Sequence, residues 1–231
     1  FLQRIGPVAG QESVVLFTAA HPGVFQTGNF RLDVPAGETV SPVLEIGGNL
    51  KLVKEGPGTY FAGRQQRYSG DTELVRGTTV AGMDGRGGIF GEIHHGTFTL
   101  NAGAVFDSNG RVGMYDFPVV FNGGTCVNGG ALCDGTGPFV DAKLTADSFF
   151  DCTRKGLGFW HPLVDLGGHV LDVKTGNTQD GFFTINNAAN ASYPVQTLTN
   201  GTLRVHGGRC KAMAVGKPMG FRVSARRANR R

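Results

Sequence analysis

The clearest signal for the fold is the recurrence of apolar residues at every second position within Gly87–Phe121. A period of two places successive side chains on opposite faces of a β-strand, so that one set faces a core and the other faces water. The stretch therefore predicts two or three β-strands. The side chains expected to be largely buried are Phe98, Leu100, Tyr115, Phe117 and Val119.

The segment Asp107-Ser108-Asn109-Gly110 interrupts this alternation. Asp and Asn side chains bond to their own backbone, and Gly accepts the positive φ that a tight turn needs. The pattern predicts a hairpin in which the flanking strands run antiparallel.

Short strand signals recur along the chain at roughly ten-residue spacing, each bounded by Gly, Asn or Pro. This spacing favours an all-β protein: an antiparallel sandwich or jelly-roll-like domain with long Gly-rich loops. We expect one domain over 1–231, with a candidate subdivision near 122–137 and a short helix only within Asp141–Lys155.

Internal repetition is weak. Gly96–Leu100 and Gly201–Val205 share a Gly-Thr-apolar-x-apolar pattern, but two such matches favour independent strand starts. A β-solenoid would need at least three regular copies of a repeat, and the sequence does not supply them.

Composition indicates a protein that hides much of its surface. Charged residues make up 17%, against roughly 25% in an average soluble domain, while Gly reaches 38 residues and Phe 17. Many apolar and few charged residues are typical of a large core or of contacts between subunits.

The net charge of +4 resides in the C-terminal tail. Four arginines there account for all of it, so the rest of the chain is neutral. These residues are Arg226, Arg227, Arg230 and Arg231. The alternatives are a solvated terminus and a tail that binds an anionic partner, such as nucleic acid or the carboxylates of a neighbouring subunit.

The cysteine count allows two disulfides. A local bridge between Cys126 and Cys133 would close a short Gly-rich loop, and Cys152 and Cys210 would then form a long-range bridge. Together with the sequons at Asn190 and Asn200, the bridges would place the protein in an oxidising, extracellular compartment. No apolar run approaches the roughly 18 residues of a membrane span.

Metal and catalytic signals are sparse. Asp107, Asn109 and Asp116 resemble part of a calcium loop, so calcium is the one candidate ion, although the full ligand set of an EF-hand is missing. His94 and His95 are adjacent on a predicted strand and would face opposite ways, which disfavours a shared metal. No nucleophile elbow, metalloprotease motif or phosphate-binding loop is present, and we expect no enzyme.

The favoured function is that of a structural subunit in an extracellular or particle-like assembly, a filament, surface layer or shell that forms by self-association. The apolar run Val14–Thr18 is a candidate strand to pair with a neighbour's sheet. A secreted carbohydrate-binding or adhesive module is the alternative. A third is a capsid-type protein whose basic arm contacts nucleic acid.

Overall fold

The architecture comes from a computed structural model, in which the described residues form strands, bridges and turns but no helix. The described residues are 28–41, 47–64, 66–82, 96–110, 118–128, 130–131, 141–154, 157–159, 163–176, 183–185, 197–207, 210–212 and 224–225.

Two long sheets dominate this part of the chain. Sheet I has eight strands. In order across the sheet they are β1 (Gly28–Asp33), β4 (Leu50–Glu55), β7 (Thr72–Leu74), β9 (Phe98–Asn101), β11 (Val119–Asn122), β14 (Ala142–Ala146), β17 (Leu163–Asp165) and β20 (Thr197–Thr199).

Sheet II has nine strands. In order they are β2 (Thr39–Val40), β5 (Thr59–Ala62), β8 (Gly77–Ala81), β10 (Ala104–Asp107), β12 (Thr125–Val127), β15 (Ser148–Cys152), β18 (Val170–Thr175), β21 (Thr202–His206) and β23 (Ser224–Ala225).

Two smaller sheets complete the described structure. Sheet III contains β13 (Gly130–Ala131), β16 (Leu157–Phe159), β19 (Phe183–Ile185) and β22 (Cys210–Ala212). A two-stranded sheet pairs β3 (Gly47–Gly48) with β6 (Arg67–Tyr68).

Every ladder between these strands is parallel, and the chain visits sheets I and II alternately, so it winds as a parallel β-solenoid. One coil takes roughly 20 to 27 residues over most of the described chain. The coil from Val164 to its partner Leu198 is longer. The predicted antiparallel sandwich or jelly roll is therefore wrong.

The solenoid interior is filled by side chains that stack on the same position of the neighbouring coil. Alternate residues of each strand point inward, as the period-two pattern predicts. One inward row of sheet I consists of Phe30, Leu52, Thr72, Phe98, Val119, Ala142, Val164 and Leu198. The inward row of sheet II contains Val40, Tyr60, Thr79, Phe106, Cys126, Phe150, Val173 and Val205.

Aromatic rings from the two sheets meet in the interior. Phe98 of sheet I packs edge-on against Phe106 of sheet II, with ring centroids 5.8 Å apart. Phe121 and Phe150 make a second such contact at 5.2 Å. Phe98, Leu100 and Val119 are buried as predicted, whereas Tyr115 and Phe117 lie outside the described residues.

One inward position carries a charge. Lys54 is fully buried in a row otherwise formed by Leu32, Leu74, Leu100, Phe121 and Leu144. Its Nζ donates hydrogen bonds to the carbonyl oxygens of Gly56, Gly58 and Arg76, at 2.7, 2.7 and 2.9 Å. A buried ammonium is tolerated because each of its three N–H groups finds an acceptor.

The lysine site depends on glycine next to it. Gly77 has φ +75°, and a Cβ at this position would clash with Lys54 Nζ and with the carbonyl oxygen of Gly56. Only glycine fits both the conformation and the space. Lys54 therefore connects its own coil to the next one at the corner between sheets I and II.

The predicted hairpin at Asp107–Gly110 is wrong in its pairing, although a turn is present. Asn109 and Gly110 adopt positive φ, 51° and 69°, but β9 pairs with β11 in parallel and β10 pairs with β12. The turn residues determine where the chain changes direction. They do not determine which strands pair, because the partner of each strand lies one full coil away in the sequence.

The predicted helix within Asp141–Lys155 is also wrong. Its described residues form β14 and β15, with inward residues at alternate positions. Leu144, Phe149 and Phe150 fit a helical period poorly, and this alternation of inward and outward residues explains why.

Both long sheets continue across the suggested subdivision near 122–137, because β11 pairs with β14 and β12 with β15.

We expect Lys54→Met to lower the free energy of unfolding by about 2–4 kcal/mol, because three carbonyl oxygens lose the hydrogen bond from Nζ, although that of Gly58 keeps the N–H of Thr78. Chemical denaturation followed by circular dichroism measures this change. Lys51→Met, an outward lysine of the same strand, is the matched control and should have a smaller effect. An equal effect of the two changes would contradict the proposed role of Lys54.

The same lysine makes stability depend on pH. Burial lowers the pKa of Lys54 from 10.5 to about 8. Between these values the unfolded chain binds more protons than the folded protein, so the free energy of unfolding rises with pH across this window. We expect the wild type to gain stability relative to Lys54→Met between pH 8 and 10. Tyr60 and Tyr68 are present in both proteins, and their contributions cancel. A constant difference between the two proteins would contradict the lowered pKa.

Two buried tyrosines offer a second test. The Tyr68 hydroxyl lies 2.5 Å from Thr72 Oγ1, whereas the buried Tyr60 hydroxyl has no hydrogen-bond partner among the described residues. Tyr60→Phe should therefore stabilise the fold or leave it unchanged, and Tyr68→Phe should cost about 1 kcal/mol. Thermal unfolding measures the stability of both variants. A larger loss of stability in Tyr60→Phe than in Tyr68→Phe would show that the Tyr60 hydroxyl is the one with a hydrogen-bond partner.

Candidate functional site

The outer faces of the two long sheets differ in chemistry. On sheet I the outward side chains bond to one another along the solenoid. Lys51 pairs with Glu73, Asn101 Nδ2 donates to Glu73 Oε1 at 3.1 Å, and Asn122 Nδ2 donates to Asn101 Oδ1 at 2.8 Å. Thr145 Oγ1 then donates to Asn122 Oδ1 at 3.0 Å. This face is a polar ladder suited to solvent.

The outer face of sheet II is largely uncharged over β5, β8, β10, β12 and β15. Of their half-buried outward residues, only Asp107 and Asp151 carry a charge. We call the uncharged ones the neutral stripe. Its members are Thr59, Phe61, Thr78, Val80, Val105, Thr125, Val127 and Phe149. Phe61 lies close to the backbone of Gly63 and Gly82, so its ring covers the neighbouring coil.

Charges replace the neutral stripe at its C-terminal end. We call this region the charged array, and its members are Asp151, Asp172, Lys174, Arg204 and His206. Asp172 Oδ2 lies 3.3 Å from Arg204 Nη1, and Asp172 Oδ1 lies 2.9 Å from His206 Nε2. Arg204 Nη1 donates a hydrogen bond to Oδ2, whereas the buried Oδ1 makes no hydrogen bond among the described residues. The carboxylate therefore positions Arg204 and only lies beside His206.

The predicted disulfides are not present. Cys126 and Cys152 are buried, and neither takes part in a disulfide. Cys126 points into the interior, where its register neighbours are Phe106 and Phe150. Cys133 lies outside the described residues, as does the side chain of Cys210. The disulfide argument for an oxidising compartment therefore no longer holds.

Asp107, from the calcium hypothesis, serves a turn. Its Oδ1 accepts the backbone N–H of Asn109 and its Oδ2 accepts Asn128 Nδ2, both at 2.8 Å. Asn109 Nδ2 donates to the carbonyl of Ala81 at 3.2 Å. Asp116 lies outside the described residues. No group of three or more His, Cys, Asp or Glu side chains that could hold a metal occurs in the described part of the chain.

The other predicted sites are only partly described. Asn200 is exposed on a turn with φ 55°, and its Nδ2 donates to Asp165 Oδ1 at 3.1 Å. Asn190, the run Val14–Thr18 and the arginines at 226, 227, 230 and 231 lie outside the described residues. Their roles in glycosylation, strand donation and anion binding stay predictions.

Sequence reasoning missed Lys54 and the charged array. The sequence does contain a signal for Lys54. It lies two residues after Leu52 and four after Leu50, so the alternation of β4 places it at an inward position. No comparable signal exists for Asp172 and Arg204, which are 32 residues apart in sequence. They meet because β18 pairs with β21 in register.

Comparison with protein families, with curated proteins and with solved structures found no match. The fold alone therefore defines the class: this is a parallel β-solenoid protein. No helix long and apolar enough to cross a membrane occurs among the described residues.

We expect the thiols of Cys126 and Cys152 to resist alkylation in the folded protein. Burial raises the pKa of the Cys126 thiol well above its ordinary value, and Cys152 nearby raises it further, so little thiolate forms. Peptide mapping after iodoacetamide treatment, with and without denaturant, identifies each cysteine separately. Rapid labelling of either residue without denaturant would contradict the packing described here.

Proposed function

We propose that this chain is a self-associating structural protein, a solenoid rod whose sheet II faces pair with sheet II of another copy. The observation that supports the proposal is the neutral stripe. Thr, Val and Phe occupy outward positions on five consecutive strands of one sheet, while the outward residues of the other sheet form a polar ladder.

The chemistry of the stripe fits a second copy. Flat sheets with β-branched and aromatic outward residues pack face to face at about 10 Å. The neutral body of the chain gives little electrostatic repulsion between copies. A patch that meets its own copy across a two-fold axis also needs no second protein.

The size of the stripe limits the strength of the contact. Five strands at about 4.8 Å spacing and about 10 Å of width give an area of a few hundred Å². A stable interface buries about 800 Å² on each partner. One stripe therefore supports a weak pair. Because a two-fold contact leaves no free stripe for a third copy, a filament or layer requires a second kind of contact in addition to this one. The exposed sequon at Asn200 is compatible with an extracellular site of assembly.

The test uses two matched pairs of lysine substitutions. Val105→Lys with Thr125→Lys places two charges on adjacent coils of the neutral stripe. Val120→Lys with Thr99→Lys places the same changes on adjacent coils of sheet I. Both variants should show wild-type circular dichroism, since all four positions face outward.

Sedimentation velocity over a hundredfold concentration range measures the association. We expect the average mass of the wild type and of the sheet I variant to rise with concentration, and that of the sheet II variant to stay monomeric. A wild type that stays monomeric throughout, or equal behaviour of the two variants, would reject the sheet II interface.

A further inference from the structure

The charged array has a geometry that the self-association proposal does not use. Two outward rows run along the solenoid axis, one strand per step. The first row contains Phe149, Asp172 and Arg204, and the second contains Asp151, Lys174 and His206. Each step is about 4.8 Å. The two rows together offer one aromatic ring, that of Phe149, and the five ionisable groups of the charged array on the outer face of sheet II.

Donor groups are the most accessible part of this surface. Arg204 and His206 are each 47% exposed, whereas Asp172 between them is 30% exposed. Lys174 is also exposed and Asp151 is half-buried. An approaching molecule therefore meets N–H donors first and carboxylates behind them. This order favours a ligand that carries acceptors and negative charge.

Arg204 is held in place before any ligand arrives. Asp172 bonds Arg204 through only one guanidinium nitrogen, Nη1, so the other N–H groups remain able to form a bidentate bond to a carboxylate. Because the carboxylate of Asp172 already restrains the Arg204 side chain, less rotamer entropy is lost when a ligand binds.

The mixture of charges selects among anionic ligands. Lys174 and Arg204 are balanced by Asp151 and Asp172, so a densely charged polyphosphate would meet two repelling carboxylates. A ligand with hydroxyl groups could donate hydrogen bonds to those same carboxylates. Phe149 adds an apolar surface on which a sugar ring can stack. Rings with well-separated negative charges fit these groups better than a nucleic acid does.

We propose that the charged array, together with Phe149, binds an acidic saccharide, a chain of sugar rings that carry carboxylate groups. One ring lies on Phe149, and the carboxylate of a neighbouring ring pairs with Arg204 and Lys174. Asp151 and Asp172 accept hydrogen bonds from ring hydroxyls. The saccharide extends along the solenoid axis, in the direction in which the rows repeat.

Isothermal titration calorimetry of the full chain tests this with an alginate hexasaccharide, which carries a carboxylate on each ring, and with neutral cellohexaose. We expect binding of alginate that weakens with added salt, and at least tenfold weaker binding of cellohexaose. Lys174→Ala with Arg204→Ala should reduce alginate affinity at least tenfold, and Phe149→Ala should also reduce it.

The matched control is Arg31→Ala with Lys143→Ala on sheet I, which also removes one ion-paired arginine and one exposed lysine. It should bind alginate like the wild type, and circular dichroism verifies that each variant is folded. Failure of the wild type to bind alginate would overturn the proposal, as would equal losses in the two double variants.

A third probe, inorganic polyphosphate, separates saccharide recognition from simple charge attraction. Polyphosphate that binds as tightly as alginate, with no loss in Phe149→Ala, would overturn the saccharide assignment in favour of a general anion patch. Phe149 also belongs to the neutral stripe, and Thr125 lies beside it in register. The alginate titrations are therefore run with the wild type at a concentration at which sedimentation velocity shows only monomer, so that their outcome does not depend on self-association.

Discussion

In-register parallel pairing between successive coils holds this solenoid together and sets the positions of both its inward and its outward side chains. A single coil has an apolar inward face that it cannot bury by itself, so each coil is stable only against its neighbours. The register stacks residues that occupy equivalent positions in successive coils. Phe98, for example, lies between Thr72 of one neighbouring coil and Val119 of the other. The same register carries the outward rows, so any surface chemistry is also arranged in lines along the solenoid axis.

Lys54 shows what the solenoid interior requires of a charged side chain. Its ammonium occupies a position where the other described coils place a leucine or phenylalanine, and it is accommodated because three carbonyl oxygens at one corner converge on it. An interior charge without such partners would cost several kcal/mol. The outward rows are free of this requirement, which is why one sheet carries a polar ladder and the other a neutral stripe that ends in the charged array.

The candidate sites could be predicted only where they are local in sequence. The turn at Asp107–Gly110 could be predicted, because the hydrogen bond from the Asn109 N–H to the Asp107 side chain joins residues two positions apart. The proximity of Asp172 to Arg204 and His206 could not be predicted, because the intervening coil is long and its length differs from that of its neighbours. Variable coil lengths also concealed the repeat, so that Gly96–Leu100 and Gly201–Val205 share a pattern while their strands belong to different sheets.

The alternation in the sequence was enough to predict an all-β fold for the described part of the chain, and to predict which residues of many strands face the core. Alternation is a property of consecutive residues, and it needs no partner. Three outcomes required the folded chain: the strands pair in parallel, β14 and β15 form where a helix was predicted, and Cys126 and Cys152 lie in the interior without a disulfide. These outcomes depend on which strand lies one coil away, and that choice is made by stacking of the whole interior.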